Sequence, residues 1–247
     1  MTVDAETALS LAARIRSGDI TARAATEQAI ARLDAINPQL NAIIWRNDEQ
    51  ALAQADALDA RATTARAAGE SLPPFLGVPI PIKDLTSVAG QPNTLGSLGI
   101  SDAPRSESEL SVQLLQQAGF VLLGRSNAPE LGPMTVSENK RWGVTRNPWN
   151  PEFTPGGSSG GAAASVASGM FTVAHASDGG GSIRVPSSCC GTVGLKPSRG
   201  RIPTKVTTWE ASSTDGVITT SVADTASILD CLSIPNHNLY YPGAPSP

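Results

Sequence analysis

The chain has 247 residues and a net charge of −4, with 40% hydrophobic and 16% charged residues. This length is enough for one large domain or two small ones with a sizeable core. The acidic balance, without any long basic run, argues against nucleic acid or an anionic membrane as a binding partner. No C-x-x-C or Cys/His ligand spacing of a metal site appears in the sequence. The sequence implies neither a metal nor an organic cofactor.

The three cysteines and the N-terminus bear on the compartment. Cys189, Cys190 and Cys231 are an odd number, and two of them are adjacent. This pattern favours reduced, buried thiols over a disulfide or metal-binding role. The first residues are polar, with acids at Asp4 and Glu6, which does not match a signal peptide. The sequence therefore predicts a cytoplasmic protein.

Residues 1–70 are predicted to form a helical N-terminal region, because apolar residues recur at helical spacing between polar caps. The expected elements are a helix from Asp4 to Gly18, a second from Thr21 to Asn37-Pro38, a short strand at 41–45, and an Ala-rich helix from Asp48 to about Ala68. The Ala-rich helix can be a covering layer over a core or a dimer contact. The covering layer is the favoured interpretation.

Residues 71–247 are predicted to form an α/β core, because short apolar strands alternate with helices. The expected elements are a strand at FLGVPIPIKD, a helix from Ser106 to Gln117, strands at 120–123 and 171–175, a loop at 147–155, a helix at 161–167, a helix at SVADTASILDCL, and a final linker at YYPGAPSP. Helices are expected on the faces of a parallel or mixed sheet.

The segment from Thr154 to Gly200 holds 11 of the chain's 23 glycines. Ordered glycine costs backbone entropy, so such a concentration is expected where backbone turns sharply or approaches something closely. Ser158 lies in one tight cluster, GGSSGG, and Ser182 in another, DGGGSIR. A serine flanked by free backbone N–H groups offers a nucleophile beside an oxyanion site, as acyl transfer requires.

Ser158 also fits the G-x-S-x-G pattern of α/β-hydrolases, but its context does not. That pattern needs a strand just before the serine and a histidine downstream, whereas PWNPEFTPG precedes Ser158 and only His237 follows, in a polar tail. A phosphate-binding loop does not fit either, because neither glycine cluster continues into Gly-Lys-Ser/Thr. His175 lies in an apolar run and is expected to be a satisfied core histidine.

Lys83 is the candidate base. It ends the apolar run VPIPI, where a charged side chain is unexpected unless it is paired or functional. A lysine held neutral by burial can activate a serine nucleophile. The structural alternative is an ion pair with a nearby acid such as Asp84, and the spacing alone does not decide between the two.

Three separated segments resemble the amidase signature family: GVPIPIKD, PGGSSGGAAASVASG and SDGGGSIRVPSSCCGTVGLKPSRGRIP. That family uses a Ser–cis-Ser–Lys triad, and the lysine, the bridging serine and the nucleophile occur here in the same order. The resemblance extends over nearly the whole chain. It implies an α/β fold with a mixed central sheet covered by helices and a helical N-terminal region.

The resemblance also implies roles for individual residues. Ser182 is the nucleophile, Ser158, on a cis peptide, relays the proton, and Lys83 is the base. The remaining implied residues are the oxyanion-hole donors Gly179, Gly180, Gly181 and Ser182, the supporting Ser159, and the pair Asp178 and Arg184, which fixes the loop.

Members of the family continue for about as much chain again after the SVADTA segment, so the C-terminal part of the fold is expected to be missing from this sequence. The leading interpretation is an amidase that hydrolyses a small-molecule amide through an acyl-enzyme on Ser182. One alternative is a glutamine-hydrolysing amidotransferase subunit, which would need partner subunits. Another is a truncated, inactive homologue. A homodimer through the N-terminal helices is a further hypothesis.

Overall fold

The computed structural model describes residues 6–204 and 212–234. The helices are α1 (Ala8–Ser17), α2 (Ala22–Leu40), α3 (Asp48–Ala68), α4 (Leu110–Gln117), α5 (Gly160–Ala167), α6 (Arg184–Cys190) and α7 (Val222–Leu232). The strands are β1 (Ile43–Trp45), β2 (Pro79–Lys83), β3 (Val121–Ser126), β4 (Glu138–Asn139), β5 (Gly143–Val144), β6 (Val173–Asp178), β7 (Val193–Gly194) and β8 (Thr214–Thr219). Helices and strands alternate along the chain, as the α/β prediction requires.

Two three-stranded sheets lie at the centre of the molecule. In the first, β3 pairs antiparallel with β1 and parallel with β2, so this sheet is mixed as predicted. In the second, β8 lies between β6 and β7 and is antiparallel to both. Strands β4 and β5 form a separate pair. Strands β2 and β6 are neighbours, which brings Lys83 at the end of β2 next to Ser177 near the end of β6.

The caps of the N-terminal helices explain most of their bounds. Helix α1 begins after Thr7, whose side chain accepts from Ser10 N; the predicted cap, Asp4, lies outside the described residues. Helix α3 follows the Asn47 cap and ends before a left-handed Gly69, so the predicted bounds are confirmed. The predicted end of α2 is wrong. The helix continues past Pro38 to Leu40, because a proline removes only one donor, and Asn41, with φ of 50°, then caps the last turn.

The N-terminal helices pack on the first sheet and share one hydrophobic core with it. Leu11 of α1 and Leu33 of α2 are buried in the same cluster as Ile80 of β2 and Leu123 of β3. Helix α1 also meets α7, since the Asp224 carboxylate accepts from the backbone N–H groups of Ala8 and Leu9 at 3.1 and 2.9 Å. Ala55 of α3 is buried in the same cluster, as the covering-layer interpretation of this Ala-rich helix expects. The division at residue 70 and the homodimer stay predictions.

Several boundaries in the core differ from the predictions. Helix α4 begins at Leu110 with Glu109 at its N-cap, so Ser106 is not the cap. The strand predicted at 120–123 runs on to Ser126. The strand predicted at 171–175 lies at 173–178, which places Ser177 and Asp178 at its end. The sequence patterns missed α6 and β8, and the predicted C-terminal linker lies outside the described residues.

All three cysteines are free, but only Cys190 is buried; Cys189 is exposed and Cys231 is half-buried. The prediction of three buried thiols is therefore wrong for Cys189. Burial, together with the neighbouring Cys189, raises the pKa of Cys190 to about 12, so this thiol is unreactive at neutral pH. In the described part of the chain, no cluster of residues is suited to hold a metal, and no helix is long and apolar enough to cross a bilayer. A cytoplasmic location stays a prediction.

The start of α5 packs directly against backbone. Gly161 N donates to Asn127 O at 3.2 Å, and a Cβ added at Gly161 would lie 2.5 Å from Ala42 O and 2.8 Å from Asn127 O. We expect Gly161→Ala to lower the free energy of unfolding by about 3 kcal/mol, because backbone on both sides must move. Chemical denaturation measures this change.

Gly180→Ala is the matched control for Gly161→Ala. An added Cβ at this exposed glycine meets no atom within 4 Å. We expect it to change the free energy of unfolding by less than about 0.5 kcal/mol. Equal destabilisation by the two substitutions would contradict the close-packing explanation.

Candidate active site

Lys83 ends β2 as a fully buried side chain. Its Nζ donates to Ser158 Oγ at 2.8 Å, to Ser177 Oγ at 3.1 Å and to the Ser177 carbonyl at 3.4 Å. The apolar run before Lys83 is central to the core, which explains how the sequence brings a lysine so deep. All three acceptors are uncharged, so the groups in direct contact with Lys83 Nζ are polar and neutral.

The alternative ion pair between Lys83 and Asp84 does not form. The Asp84 carboxylate turns away and accepts from the backbone N–H groups of Thr94 and Gly96, each at 3.1 Å, and from the Thr94 hydroxyl. Its nearest cationic partner is Arg125, with Nε 3.8 Å from Oδ1. Neighbours in sequence thus serve different sites, because successive residues of an extended chain point to opposite sides.

Burial lowers the pKa of Lys83 from its ordinary value of 10.5 to about 7, and the charges of Asp215 and Asp178 partly oppose this change. Desolvation disfavours the ammonium form, since the protein encloses the side chain on all sides at the end of β2. A lysine with a pKa of about 7 is neutral in about half of the molecules at neutral pH. Lys83 can therefore both accept and return a proton under mild conditions.

The segment before α5 holds two serines against Lys83 and the glycine-rich loop. The peptide bond between Gly157 and Ser158 is cis. Ser159 N donates to the Ser182 carbonyl at 3.2 Å, and Ser159 Oγ donates to the Ser177 carbonyl at 3.3 Å. Ser159 thus connects the loop that carries Ser182 to the strand that contacts Lys83; its supporting role stays a prediction.

Asp178 organises the glycine-rich loop that follows β6. Its carboxylate accepts from Gly181 N at 2.7 Å and Ile183 N at 3.1 Å, and from the Arg184 side chain at 2.9 and 3.0 Å. Burial alone raises the pKa of Asp178, but the bonds from Arg184 and the backbone outweigh it and lower the pKa to about 2. The expected pair between Asp178 and Arg184 is present, and its role in fixing the loop stays a prediction.

The loop leaves three of the four predicted oxyanion donors available. Gly181 N–H is already bonded to Asp178. Among the described residues, the N–H groups of Gly179, Gly180 and Ser182 have no hydrogen-bond acceptor. Because Gly181 has a φ of 126°, a conformation that favours glycine, its N–H can turn toward the carboxylate.

Ser158 and Ser182 line the same pocket of about 420 Å³, together with Ser177 and Gly179. The rest of the described wall combines apolar side chains, including Leu85 and Leu131, with two carboxylates, Glu109 and Asp215. Ser182 is partly accessible, and its hydroxyl makes no hydrogen bond to the described residues. The direct bond from Ser182 to Ser158 that a proton relay uses is therefore not made in this structure.

Two groups next to Lys83 were not predicted from the sequence. Ser177 contacts the lysine directly, and Asp215 lies opposite Ser177 in the ladder of β6 and β8. Ser177 carried a weak signal, since it adjoins the DGGGS cluster. Asp215 carried none, because only the strand pairing brings it to the pocket.

His175 is buried, as expected, but it is not satisfied. Neither ring nitrogen has a hydrogen-bond partner in the described part of the chain. Its Nε2 lies 3.7 Å from Asp215 Oδ2, beyond hydrogen-bonding distance. The prediction of a satisfied core histidine is therefore wrong.

Comparison with known proteins identifies the family to which the chain is similar. The family model described as Amidase matches residues 24–245. The chain is 40% identical over 232 residues to an acylamidase from Rhodococcus erythropolis, covering 93% of this chain and 48% of the relative. It is 43% identical over 223 residues to a glutamyl-tRNA(Gln) amidotransferase subunit from Synechococcus sp. (strain WH7803), covering 89% of this chain and 45% of the relative.

A solved structure of 6-aminohexanoate cyclic dimer hydrolase complexed with substrate superimposes with a TM-score of 0.88 at 36% identity, covering 99% of this chain and 50% of that structure. The chain thus spans about half the length of the relatives it matches. Sequence and structure agree over nearly all of that span. The chain belongs to the amidase signature family.

Proposed function

We propose that this chain carries the catalytic part of an amidase, which hydrolyses the C–N bond of a small-molecule amide through an acyl-enzyme on Ser182. The observation that carries the proposal is the buried Lys83, with Nζ 2.8 Å from Ser158 Oγ, at a pocket that Ser182 also lines. A lysine with a pKa of about 7, beside two serines and free backbone N–H groups, suits acyl transfer.

In the proposed acylation, Ser182 Oγ attacks the amide carbonyl and gives its proton to Ser158, while Ser158 gives its own to neutral Lys83. One C–O bond forms, and the C–N bond breaks when the leaving amine takes the proton back from Lys83 along the same path. This route requires the Ser182 hydroxyl to rotate toward Ser158 when substrate is bound.

The negative charge that develops on the carbonyl oxygen needs donors already in position. The N–H groups of Gly179, Gly180 and Ser182 can supply them, because the bonds to Asp178 fix the loop in advance. One such donor commonly stabilises the transition state by about 3 kcal/mol. Water then attacks the acyl-enzyme by the same proton route, which releases the acid and restores Ser182.

The amidotransferase interpretation is the second candidate, and it is favoured by the 43% identity to the Synechococcus relative. It predicts glutamine as the ammonia source and a need for partner subunits. Hydrolysis of an amide without partner subunits distinguishes the two candidates.

The test is the intact mass of the purified chain after treatment with a fluorophosphonate, followed by product release from neutral aliphatic and aryl amides and from glutamine. The reagent forms one Ser–O–P bond and releases fluoride. We expect one adduct, on Ser182, and hydrolysis of neutral amides without any partner.

Each of the other possible results would contradict one interpretation. No adduct on folded protein would contradict an activated nucleophile and would support the inactive homologue. If glutamine is the only substrate that releases ammonia, and only when partner subunits are added, the amidotransferase interpretation would be favoured over the amidase.

A further inference from the structure

Asp215 lies near the proposed proton route but does not carry the proton. It lies on β8 and is the ladder partner of Ser177 on β6, whose hydroxyl and carbonyl bind Lys83 Nζ. Asp215 also lines the pocket together with Ser158 and Ser182. The hydroxyl of Ser111, at the start of α4, donates to its Oδ2 and holds the carboxylate in place.

The proposed route creates a positive charge at a fully buried position when Lys83 takes the proton. The direct ligands of Nζ, on Ser158 and Ser177, are neutral. Arg125 of β3 donates to the Lys83 carbonyl at 3.1 Å and so supplies no negative charge there. A nearby negative charge is therefore needed to stabilise the protonated form of Lys83.

The other nearby carboxylates are already engaged. Asp178 forms a two-point pair with Arg184 and accepts from the loop backbone. Asp84 accepts from Thr94 and Gly96 and lies near Arg125. Asp215 has neither arginine nor lysine within salt-bridge distance in the described part of the chain, so its charge acts on Lys83 with less compensation.

His175 provides an independent observation. This buried imidazole has no hydrogen-bond partner among the described residues, and Asp215 Oδ2 lies 3.7 Å from its Nε2. Burial alone raises the pKa of Asp215, but His175, Ser111 and the charge of Lys83 outweigh it and lower the pKa. The surroundings of this half-buried carboxylate therefore keep it ionised.

We propose that Asp215 is a positioning residue whose carboxylate balances the ammonium formed when Lys83 takes the proton that leaves Ser182 through Ser158. This role rests on the proposed amidase function. One N–H bond forms at Lys83 as one O–H bond breaks at Ser158, and the charge on Asp215 does not change. The Ser111 hydroxyl, which donates to Oδ2, holds the carboxylate in place.

The experiment is a pH titration of the Lys83 Cε resonance in the full chain labelled with ¹³C-lysine. The sequence has four lysines, and the Lys83 signal is assigned by its absence in Lys83→Met. In the wild type we expect a midpoint near pH 7. In Asp215→Asn we expect the midpoint to move to lower pH by about one pH unit, because an opposite charge is lost nearby.

Two further variants make the titration specific. Asp215→Ser also removes the charge and is expected to move the midpoint in the same direction, which covers the case that Asp215→Asn does not fold. Glu70→Gln removes an exposed charge just after α3 and is expected to leave the midpoint unchanged. An unchanged or raised midpoint in the folded Asp215 variants would overturn the proposal.

The pH dependence of fluorophosphonate labelling separates this proposal from the amidase function. In Asp215→Asn, the rise of the labelling rate with pH should begin at lower pH, while its plateau falls because a less basic amine takes the proton less readily. A wild type that is never labelled would overturn the proposed function, while the lysine titration would still decide the role of Asp215.

Discussion

Replacing Ser182 by alanine should lower the rate of amide hydrolysis by about 10⁴-fold or more. The substitution removes the nucleophile, and such losses are typical when a serine hydrolase loses the attacking oxygen. The fold should persist, because the Ser182 hydroxyl makes no hydrogen bond to the described residues, and the backbone carbonyl still accepts from Ser159 N. The measurements are the turnover of a neutral amide and the intact mass after fluorophosphonate treatment.

Ser188→Ala is the matched control for this prediction. Ser188 lies on α6, is exposed, and is not part of the pocket wall. We expect its activity and its adduct to equal those of the wild type. An adduct that persists in Ser182→Ala would assign the nucleophile to another serine, and the proposed mechanism would be wrong.

Replacing Lys83 by methionine should have the second largest effect, a loss of about 10³-fold in the rate of acylation. Methionine fills a similar volume without a nitrogen, so Ser158 loses the group that takes its proton, and general-base losses fall between about 10² and 10⁴. In the wild type, the rate should rise with pH with a midpoint near 7, the pKa of Lys83. This rise should vanish in Lys83→Met.

Lys83 should also make the free energy of unfolding depend on pH, and its lowered pKa determines the direction of that dependence. Below about pH 7 the lysine is protonated in both the folded and the unfolded state, and the full cost of burying its charge lowers the free energy of unfolding. Between about pH 7 and its ordinary value of 10.5, only the unfolded state remains protonated, so this cost fades as pH rises. Lys83→Met should therefore stabilise the protein most below pH 7 and hardly at all above pH 10.5.

Lys140→Met controls for the loss of a lysine. Lys140 is exposed and does not belong to the described wall of the pocket, so we expect unchanged activity and no new pH dependence of unfolding. Chemical denaturation from pH 6 to 10 measures the effect on stability. If Lys83→Met and Lys140→Met behave alike in both measurements, Lys83 is not the base.

Local features of the fold were predictable wherever neighbouring residues decide them. The bounds of α3 follow from an Asn cap, an Ala-rich run and a final glycine, all within one segment. The position of Lys83 at the end of β2 follows from the apolar run before it. The start of α4 was not predictable in this way, since Glu109 at its N-cap makes no side-chain hydrogen bond that a motif could reveal.

Sequence spacing did not decide whether Lys83 pairs with Asp84 or contacts a serine. Asp84 is adjacent in sequence, yet Thr94 and Gly96 take its carboxylate, while Ser158 and Ser177 arrive from distant segments to meet Lys83. The environment of His175 was also not predicted from the sequence. It lies in an apolar strand, but it faces the charge of Asp215, which is brought there by β8.

The sequence by itself determined the family, the α/β alternation, and the glycine clusters around Ser158 and Ser182, because short-range patterns specify caps, turns and strand ends. Only the tertiary structure decided that Lys83 faces Ser158, that Gly181 N–H is taken by Asp178, and that Asp215 lies opposite Ser177. The physical reason is that a hydrogen bond or a charge interaction depends on distance in space. Strand pairing sets that distance, and it joins residues that no local pattern connects.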